Sequence, residues 1–212
     1  MTRDSSKKNT LKKQIYASVL TDIMHSVYLP DQVITEKALM EKFDVSRAPV
    51  REALVELCNE NILHSIPCYG YKVTPLSQEY IKSVQEYRIT LECGFMSRSW
   101  NCITPEHLKT LEDIMFSEKY RDGAEYDAFT HWENNIEFHL TLMSCYNNDY
   151  ALGQLRSALT VQKRAYAQIL WERWHKQIFA ESAGLHQEIL RAIRKNNLPL
   201  AMKLLESDIR SI

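Results

Sequence analysis

The sequence predicts a mainly α-helical protein in two parts, an N-terminal winged helix-turn-helix and a C-terminal antiparallel all-α bundle. Three observations support this prediction. The 212 residues include only five Gly and six Pro, which leaves little material for turns and favours helices. Apolar residues recur at helical spacing along most of the chain. Two short strand-like runs stand together between residues 63 and 73, after three predicted helices.

The first predicted helix carries apolar residues at four-residue intervals from Leu11 to Val27. Thr10 stands where a side-chain cap is expected. Residues 1–9 are polar and are predicted to form a disordered tail. Turn residues at 28–31 end the helix.

The second and third predicted helices follow each other closely. Thr35 is the expected N-cap of the second helix, which ends near residues 43–44. Ser46 is the expected N-cap of the third, and Pro49 stands in its first turn, where the missing N–H has no helical partner in any case.

A β-hairpin is predicted after the third helix. Residues 63–66 and 71–73 are typical of short strands, and residues 67–70 are typical of a hairpin tip. Three helices and a hairpin, with a tight turn between helices two and three, are the layout of a winged helix. The sequence therefore predicts this domain over residues 10–74 and a linker over 75–80.

Residues 81–212 are predicted to form the bundle. Their periodicity is helical, with breaks near 103–105, 121–123, 146–149 and 196–199. About six helices in this length, without strand alternation, indicate an antiparallel bundle. The polar run 162–164 is interpreted as a solvated helix face.

Composition excludes several classes of protein. The chain is 45% hydrophobic and 25% charged, as globular proteins are, and no run of about 18 apolar residues predicts a membrane span. Its polar start does not resemble a secretory signal. The five cysteines show no C-x-x-C spacing, which favours free thiols in a reducing cytoplasm over a disulfide framework. No nucleophile–base pair is specified, so the chain is expected not to be an enzyme.

Arg47 and Arg51 are the strongest DNA-binding candidates. They are four residues apart in the first two turns of the third helix, so both project from one face. That part of a recognition helix enters the major groove, where a guanidinium can bind a guanine edge or a phosphate. The alternative is an ordinary solvated helix face. The full set of predicted DNA contacts is Lys37, Ser46, Arg47, Ala48, Pro49, Arg51, Tyr69 and Gly70.

Three segments resemble the GntR family of bacterial regulators. Residues 44–57 read DVSRAPVREALVEL and are similar to its signature, residues 29–36 to its LxPGxxLxE stretch, and residues 67–73 to its wing. Asp31 stands where that stretch usually has Gly. The resemblance implies a homodimer on a short palindromic operator, with Arg47 and Arg51 matching the base- and phosphate-contacting arginines. The function that the resemblance implies is transcriptional regulation, with repression favoured over activation.

The second half resembles the FadR branch of that family, whose effector domain is called FCD. The similar residues are RITLE at 88–92, EFH at 137–139 followed by two asparagines, and the segment 186–193. This resemblance implies a small organic or sugar acid as effector. A regulator that acts through protein partners without a ligand is an alternative, and a helical metalloenzyme is a weaker one.

The FCD resemblance also implies a buried divalent metal, held by an Asp and three histidines. The matching residues here are Asn135, His139, His186 and Asp208, so Asn replaces the Asp and Asp replaces the last His. Asn135 offers only a neutral carbonyl oxygen, while Asp208 restores a carboxylate. Such a site accepts zinc, nickel or manganese. The alternative is a pair of core histidines without metal; His131 is a substitute ligand.

Arg88 is the predicted effector-binding residue. Its guanidinium would suit a carboxylate-bearing effector in a bundle cavity. The equal alternative is an internal salt bridge with Glu92, four residues further along the same helix.

Overall fold

A computed structural model describes residues 2–115, 128–169 and 176–211. Contacts divide the chain into one unit of Met1–Ser77 with Arg164–Trp171 and another of Gln78–Lys163 with Glu172–Ile212. The mostly helical content, with one small sheet in the first unit, confirms the predicted fold class.

The first unit contains three helices and three strands. In chain order they are α1 (Thr2–Met24), β1 (Val33–Ile34), α2 (Glu36–Phe43), α3 (Arg47–Asn59), β2 (Leu63–Ile66) and β3 (Gly70–Val73). The predicted start of α1 is wrong, since the helix begins at Thr2 and runs through the expected tail. Residues 2–10 contain no Gly or Pro to interrupt it.

The turn between α2 and α3 depends on two caps. The Thr35 hydroxyl accepts the N–H of Ala38 at 3.2 Å, as predicted. Asp44 ends α2 in the left-handed region at φ 50°, and its N–H bonds to the carbonyl of Met40. Ser46 occupies the N-cap position of α3 with extended backbone, but its side chain makes no capping bond, so that part of the prediction is wrong.

One face of each helix in this unit is buried. The core takes residues from α1, α2, α3 and the sheet, including Ile15, Val19, Leu39, Val50, Leu54, Leu57 and Val73. The four-residue apolar spacing of α1 and α3 places these side chains on a single stripe.

The sheet has the order β1-β3-β2, and both pairings are antiparallel. In the register, Ile34 is opposite Tyr71 and Ile66 is opposite Gly70. The sequence did not indicate β1, which spans only two residues. Gly70 has φ 149°, and a Cβ there would stand 2.7 Å from the carbonyl oxygen of Ile34.

The second unit is helical throughout its described part. Its helices are α4 (Gln78–Arg98), α5 (Pro105–Met115), α6 (Ala128–Ser144), α7 (Asp149–Ile169, whose last turns group with the first unit), α8 (Lys176–Arg194) and α9 (Leu198–Ser211). The breaks predicted near 103–105, 146–149 and 196–199 are confirmed; the one at 121–123 lies outside the described residues. Because α4 begins at Gln78, the connecting segment ends at residue 77 and not at 80.

Apolar side chains from α4 to α9 form the core of this unit. Among the described helices, none has an apolar stretch that would reach across a bilayer. Cys58, Cys68, Cys93, Cys102 and Cys145 are free thiols, as predicted.

Candidate nucleic-acid interface and buried polar site

A groove in the first unit lies between the start of α2, the start of α3 and the wing. Its volume is about 480 Å³. Five of the residues predicted to contact DNA line it: Lys37, Arg47, Arg51, Tyr69 and Gly70. Helix caps and the wing turn thus bring together residues that are up to 33 positions apart in the chain, from 37 to 70.

The positively charged residues of this groove are available to solvent. The side chains of Lys37 and Arg47 are 86% and 73% exposed. Ser46, Ala48 and Arg51 are also exposed. Pro49 is buried, so its predicted contact with DNA is wrong. Position 49 is one turn before Ala53 and shares the buried stripe of α3.

Glu36 is a groove residue that sequence reasoning missed. Its carboxylate accepts a hydrogen bond from Nε of Arg47 and another, at 3.2 Å, from the hydroxyl of Tyr71. Partial burial opposes its ionisation, but these bonds and the nearby charge of Arg51 prevail and lower the pKa of Glu36. In the sequence, Glu36 was marked only as the last residue of segment 29–36, which is similar to the LxPGxxLxE stretch.

The second unit contains a buried chain of polar side chains. Nδ1 of His139 lies 2.6 Å from Oε2 of Glu92, and Nε2 of His139 lies 2.9 Å from Oδ2 of Asp208. All three residues are at most 3% exposed. An imidazole with a carboxylate on each nitrogen is held in one orientation, so α4, α6 and α9 are linked through His139.

His186 and Asn135 extend the same chain. Nε2 of His186 lies 3.4 Å from Oδ1 of Asp208 and 3.5 Å from Nδ2 of Asn135. The ring of Phe138 stacks on that of His186 at 3.9 Å between centroids. All four predicted metal ligands are therefore buried and adjacent, although their sequence positions span 135 to 208.

Arg88 lies at the other end of this buried series of polar side chains. Its Nε donates to Oε1 of Glu92 at 2.8 Å, and its Nη1 donates to Oε1 of Gln162 at 2.5 Å. Within the described part of the chain, Nη2 of Arg88 and Nε2 of Gln162 have no hydrogen-bond partner. The predicted salt bridge with Glu92 is thus present, and Nη2 of Arg88 remains a buried donor without a partner among the described residues.

Gln162 was assigned to a solvated helix face, and this interpretation is wrong. Gln162 is 0% exposed and Arg164 is 3% exposed. Arg164 donates from Nη1 to the carbonyl oxygen of Asn61 at 3.2 Å, within the first unit. Residue type alone did not reveal that these two side chains are buried and hydrogen-bonded to residues far away in the sequence.

Charges in the buried chain compensate one another. Burial opposes ionisation of Glu92, but Arg88 and His139 outweigh it and lower the pKa of Glu92. Burial likewise opposes ionisation of Asp208, and the two histidines lower its pKa. For His139, burial favours the neutral ring, but Glu92 and Asp208 prevail and raise its pKa.

The donor set fits a divalent transition metal. Ligand atoms of His139, His186 and Asp208 all lie within 4.8 Å of one another. Oδ1 of Asn135 is buried and has no hydrogen-bond partner among the described residues. Two imidazoles, one carboxylate and an amide oxygen suit zinc, nickel or manganese. Glu92 would orient the His139 ring from its far side. The His131 side chain lies outside the described residues.

Two family models match the chain. Residues 11–73 match the model of bacterial regulatory proteins, gntR family, and residues 83–211 match the FCD domain. The two matches lie in the order predicted from the sequence. The FCD match alone covers more than half of the chain.

Similar proteins of known name are regulators. The chain is 27% identical over 132 residues to the HTH-type transcriptional repressor RspR of Escherichia coli K12, covering 62% of this chain and 58% of RspR. It is 24% identical over 191 residues to the gluconate operon transcriptional repressor of Bacillus licheniformis, covering 85% and 74%. The fold is similar to that of E. coli McbR/YncC, with a TM-score of 0.74, 18% identity and coverage of 94% and 93%.

Proposed function

The chain belongs to the gntR family of bacterial regulatory proteins and carries an FCD domain, and from this premise we propose that it is an effector-controlled, DNA-binding transcriptional regulator. It binds a short palindromic operator as a homodimer, because one recognition helix reads too few base pairs for specificity. A small organic or sugar acid in the helical unit changes operator affinity. Repression is the favoured direction, as in the two named relatives.

One observation carries the proposal: the exposed cations of α2 and α3 and the wing tip line the same groove. Arg47 and Arg51 are one helical turn apart at the start of α3. A guanidinium can bind the guanine edge in two hydrogen bonds, and Lys37 and the exposed Ser46 suit phosphate. Base contacts and phosphate contacts are thereby supplied from one face.

The test is selection of duplexes from a library with a randomised central region by the purified full-length chain. We expect enrichment of an inverted repeat and a dimer on it by analytical ultracentrifugation. Affinity should fall steeply with salt, since phosphate contacts release counterions. A parent protein that enriches no sequence, or that binds as well after Arg47→Ala and Arg51→Ala combined, would end the proposal.

The effector site is proposed at Arg88. The side chains of Arg88 and Gln162 are hydrogen-bonded through Nη1 and Oε1, and Nη2 of Arg88 and Nε2 of Gln162 are buried donors without partners among the described residues. A buried donor without a partner is energetically costly. A carboxylate would satisfy both. In a thermal-shift series with sugar acids and hydroxy acids, a ligand of the folded state must raise the melting temperature. Gln162→Leu should abolish that rise, whereas Gln85→Leu on α4 should not.

The proposed metal ligands are Asn135, His139, His186 and Asp208. When bound, the ion would supply positive charge that attracts an acidic effector. Chelator-treated protein should take up about one zinc, nickel or manganese ion per chain, measured by metal analysis after dialysis. His186→Ala should lose the ion, while the exposed His64→Ala should keep it. Uptake below about 0.2 ion per chain by the parent would refute the metal.

A second candidate function is regulation through protein partners without ligand or metal. The direct contact between His139 and Asp208 favours it, because the buried chain is already closed by its own charges. Under this alternative, neither acids nor metal ions raise the melting temperature, while operator selection still succeeds. The thermal-shift series and the metal analysis therefore separate the two candidate functions.

A further inference from the structure

Glu36 contacts both DNA-facing parts of the first unit. It is the first residue of α2, and its carboxylate accepts from Arg47 at the start of α3 and from Tyr71 on β3. Its side chain is only 15% exposed, whereas that of Arg47 is 73% exposed. The mostly buried carboxylate of Glu36 thus holds the mostly exposed guanidinium of Arg47 at the edge of the groove.

The contact uses one particular donor of Arg47. Only Nε is bonded to Glu36, and Nη1 and Nη2 form the end of the guanidinium fork. That end provides two parallel N–H donors, the pattern that O6 and N7 of guanine accept. A long side chain bonded at Nε retains fewer rotamers, so less entropy is lost when the fork binds a base.

The charge of Glu36 has a second effect. Its pKa is lowered, so the carboxylate is ionised at neutral pH. A fixed negative charge beside the groove repels phosphate, and phosphate attraction provides essentially all of non-specific binding. Duplexes that offer only phosphates to the groove therefore bind with lower affinity. Duplexes with a base that binds the Arg47 guanidinium recover that affinity.

We infer that Glu36 is a specificity-determining residue, which positions Arg47 for base recognition and penalises binding to DNA that offers phosphates alone. This inference rests on the proposed function. The Tyr71 hydroxyl donates to the other oxygen of this carboxylate from the wing side, so the recognition helix and the wing are both bonded to Glu36. Glu36 acts through Arg47 and touches no base itself.

The test is a double-mutant cycle with the full-length parent, Glu36→Gln, Arg47→Ala and the double variant. Each is measured against the library-selected duplex, its single-base substitutions and a scrambled duplex. Glu36→Gln should lower the ratio of selected to scrambled affinity about tenfold, mainly at the base whose preference Arg47→Ala abolishes. In the Arg47→Ala background, the same change should alter that preference less than about twofold.

Two further variants distinguish positioning from simple charge. Glu36→Asp keeps the charge but shortens the reach, so it should also lose the preference. Tyr71→Phe removes only the second hydrogen bond and should lose much less. Melting temperatures are recorded throughout, and Glu36→Asp decides the matter if Glu36→Gln does not fold.

The inference is overturned if Glu36→Gln keeps the Arg47 base preference, or if Glu36→Asp behaves like the parent. Those results would leave the regulator proposal intact, since the parent would still select an operator and Arg47→Ala would still weaken it. A parent that selects no sequence overturns both.

Discussion

Nε2 of His139 lies 2.9 Å from Oδ2 of Asp208, and both side chains are fully buried. The contact connects α6 to α9 across the core of the helical unit. Because each partner is a charged or chargeable group removed from water, neither tolerates loss of the other. The same two residues are proposed metal ligands, so structural and binding roles converge on this pair.

Asp208→Ala should destabilise the metal-free protein by about 3–5 kcal/mol, because it removes one of the two carboxylates that contact the buried His139 ring and the carboxylate beside His186. Urea denaturation in the presence of a chelator measures the change. Glu206→Ala on the same helix is the matched control, since Glu206 makes an exposed pair with Arg210. The control should change stability by less than about 1 kcal/mol. Equal effects of the two substitutions would contradict a structural role for the buried pair.

Arg47→Ala and Arg51→Ala should each weaken binding to the selected duplex by about 1–3 kcal/mol and relax base preference. Lys37→Ala should reduce the slope of log affinity against log salt by about one, because one phosphate contact is lost. Fluorescence anisotropy at several salt concentrations measures both effects. Arg210→Ala in the helical unit should bind like the parent. Parent-like binding by all three groove variants would show that the groove is not the DNA-binding surface.

Gly70→Ala should destabilise the wing by about 1–3 kcal/mol. Its φ of 149° is unfavourable for alanine, and the new Cβ would lie 2.7 Å from the Ile34 carbonyl oxygen. Gly153→Ala is the control, because that glycine is helical and has no atom within 4 Å of an added Cβ. It should stabilise the protein by about 0.5–1 kcal/mol. Urea denaturation compares the pair, and a neutral Gly70→Ala would contradict the close approach of β1 and β3.

Thiol reactivity should separate four of the five cysteines into two groups. Burial raises the pKa of Cys93 to about 11 and that of Cys145 to about 11, so both are almost wholly protonated at pH 8. Cys68 and Cys102 are exposed. Because the thiolate is the nucleophile, the exposed pair should react with a disulfide reagent at least about 100-fold faster. Mass spectrometry of timed samples identifies the sites; rapid labelling of Cys93 in folded protein would contradict its burial.

Much of the first unit could be predicted from the sequence because its signals are local. The Thr35 side chain caps α2 by accepting the N–H of Ala38, only three residues further on, and the buried stripe of α3 repeats at helical spacing. Pro49 was assigned to DNA as part of the signature segment 44–57, although its spacing to Ala53 places it on the buried stripe of α3. The pairing of β1 with β3 was missed since it depends on residues about 40 positions apart.

The buried chain shows what residue type could and could not indicate. His139, His186, Asn135 and Asp208 were grouped through a family resemblance, since no periodicity relates α6, α8 and α9. The partnership of Arg88 with Glu92 followed from their four-residue spacing. Gln162 was misjudged because its partner lies 74 positions away, and a polar residue on a helix is usually exposed.

The central strand of the sheet, β3, limits how the wing can change. β3 is bonded along both edges, to β1 and to β2, so the base of the hairpin cannot tilt independently of α2. Residues 67–69 at the tip carry no such constraint within the sheet. In the proposed regulator, substitutions at residues 67–69 would therefore change the contacts that the tip makes with flanking DNA while leaving the geometry between helix and hairpin unaltered.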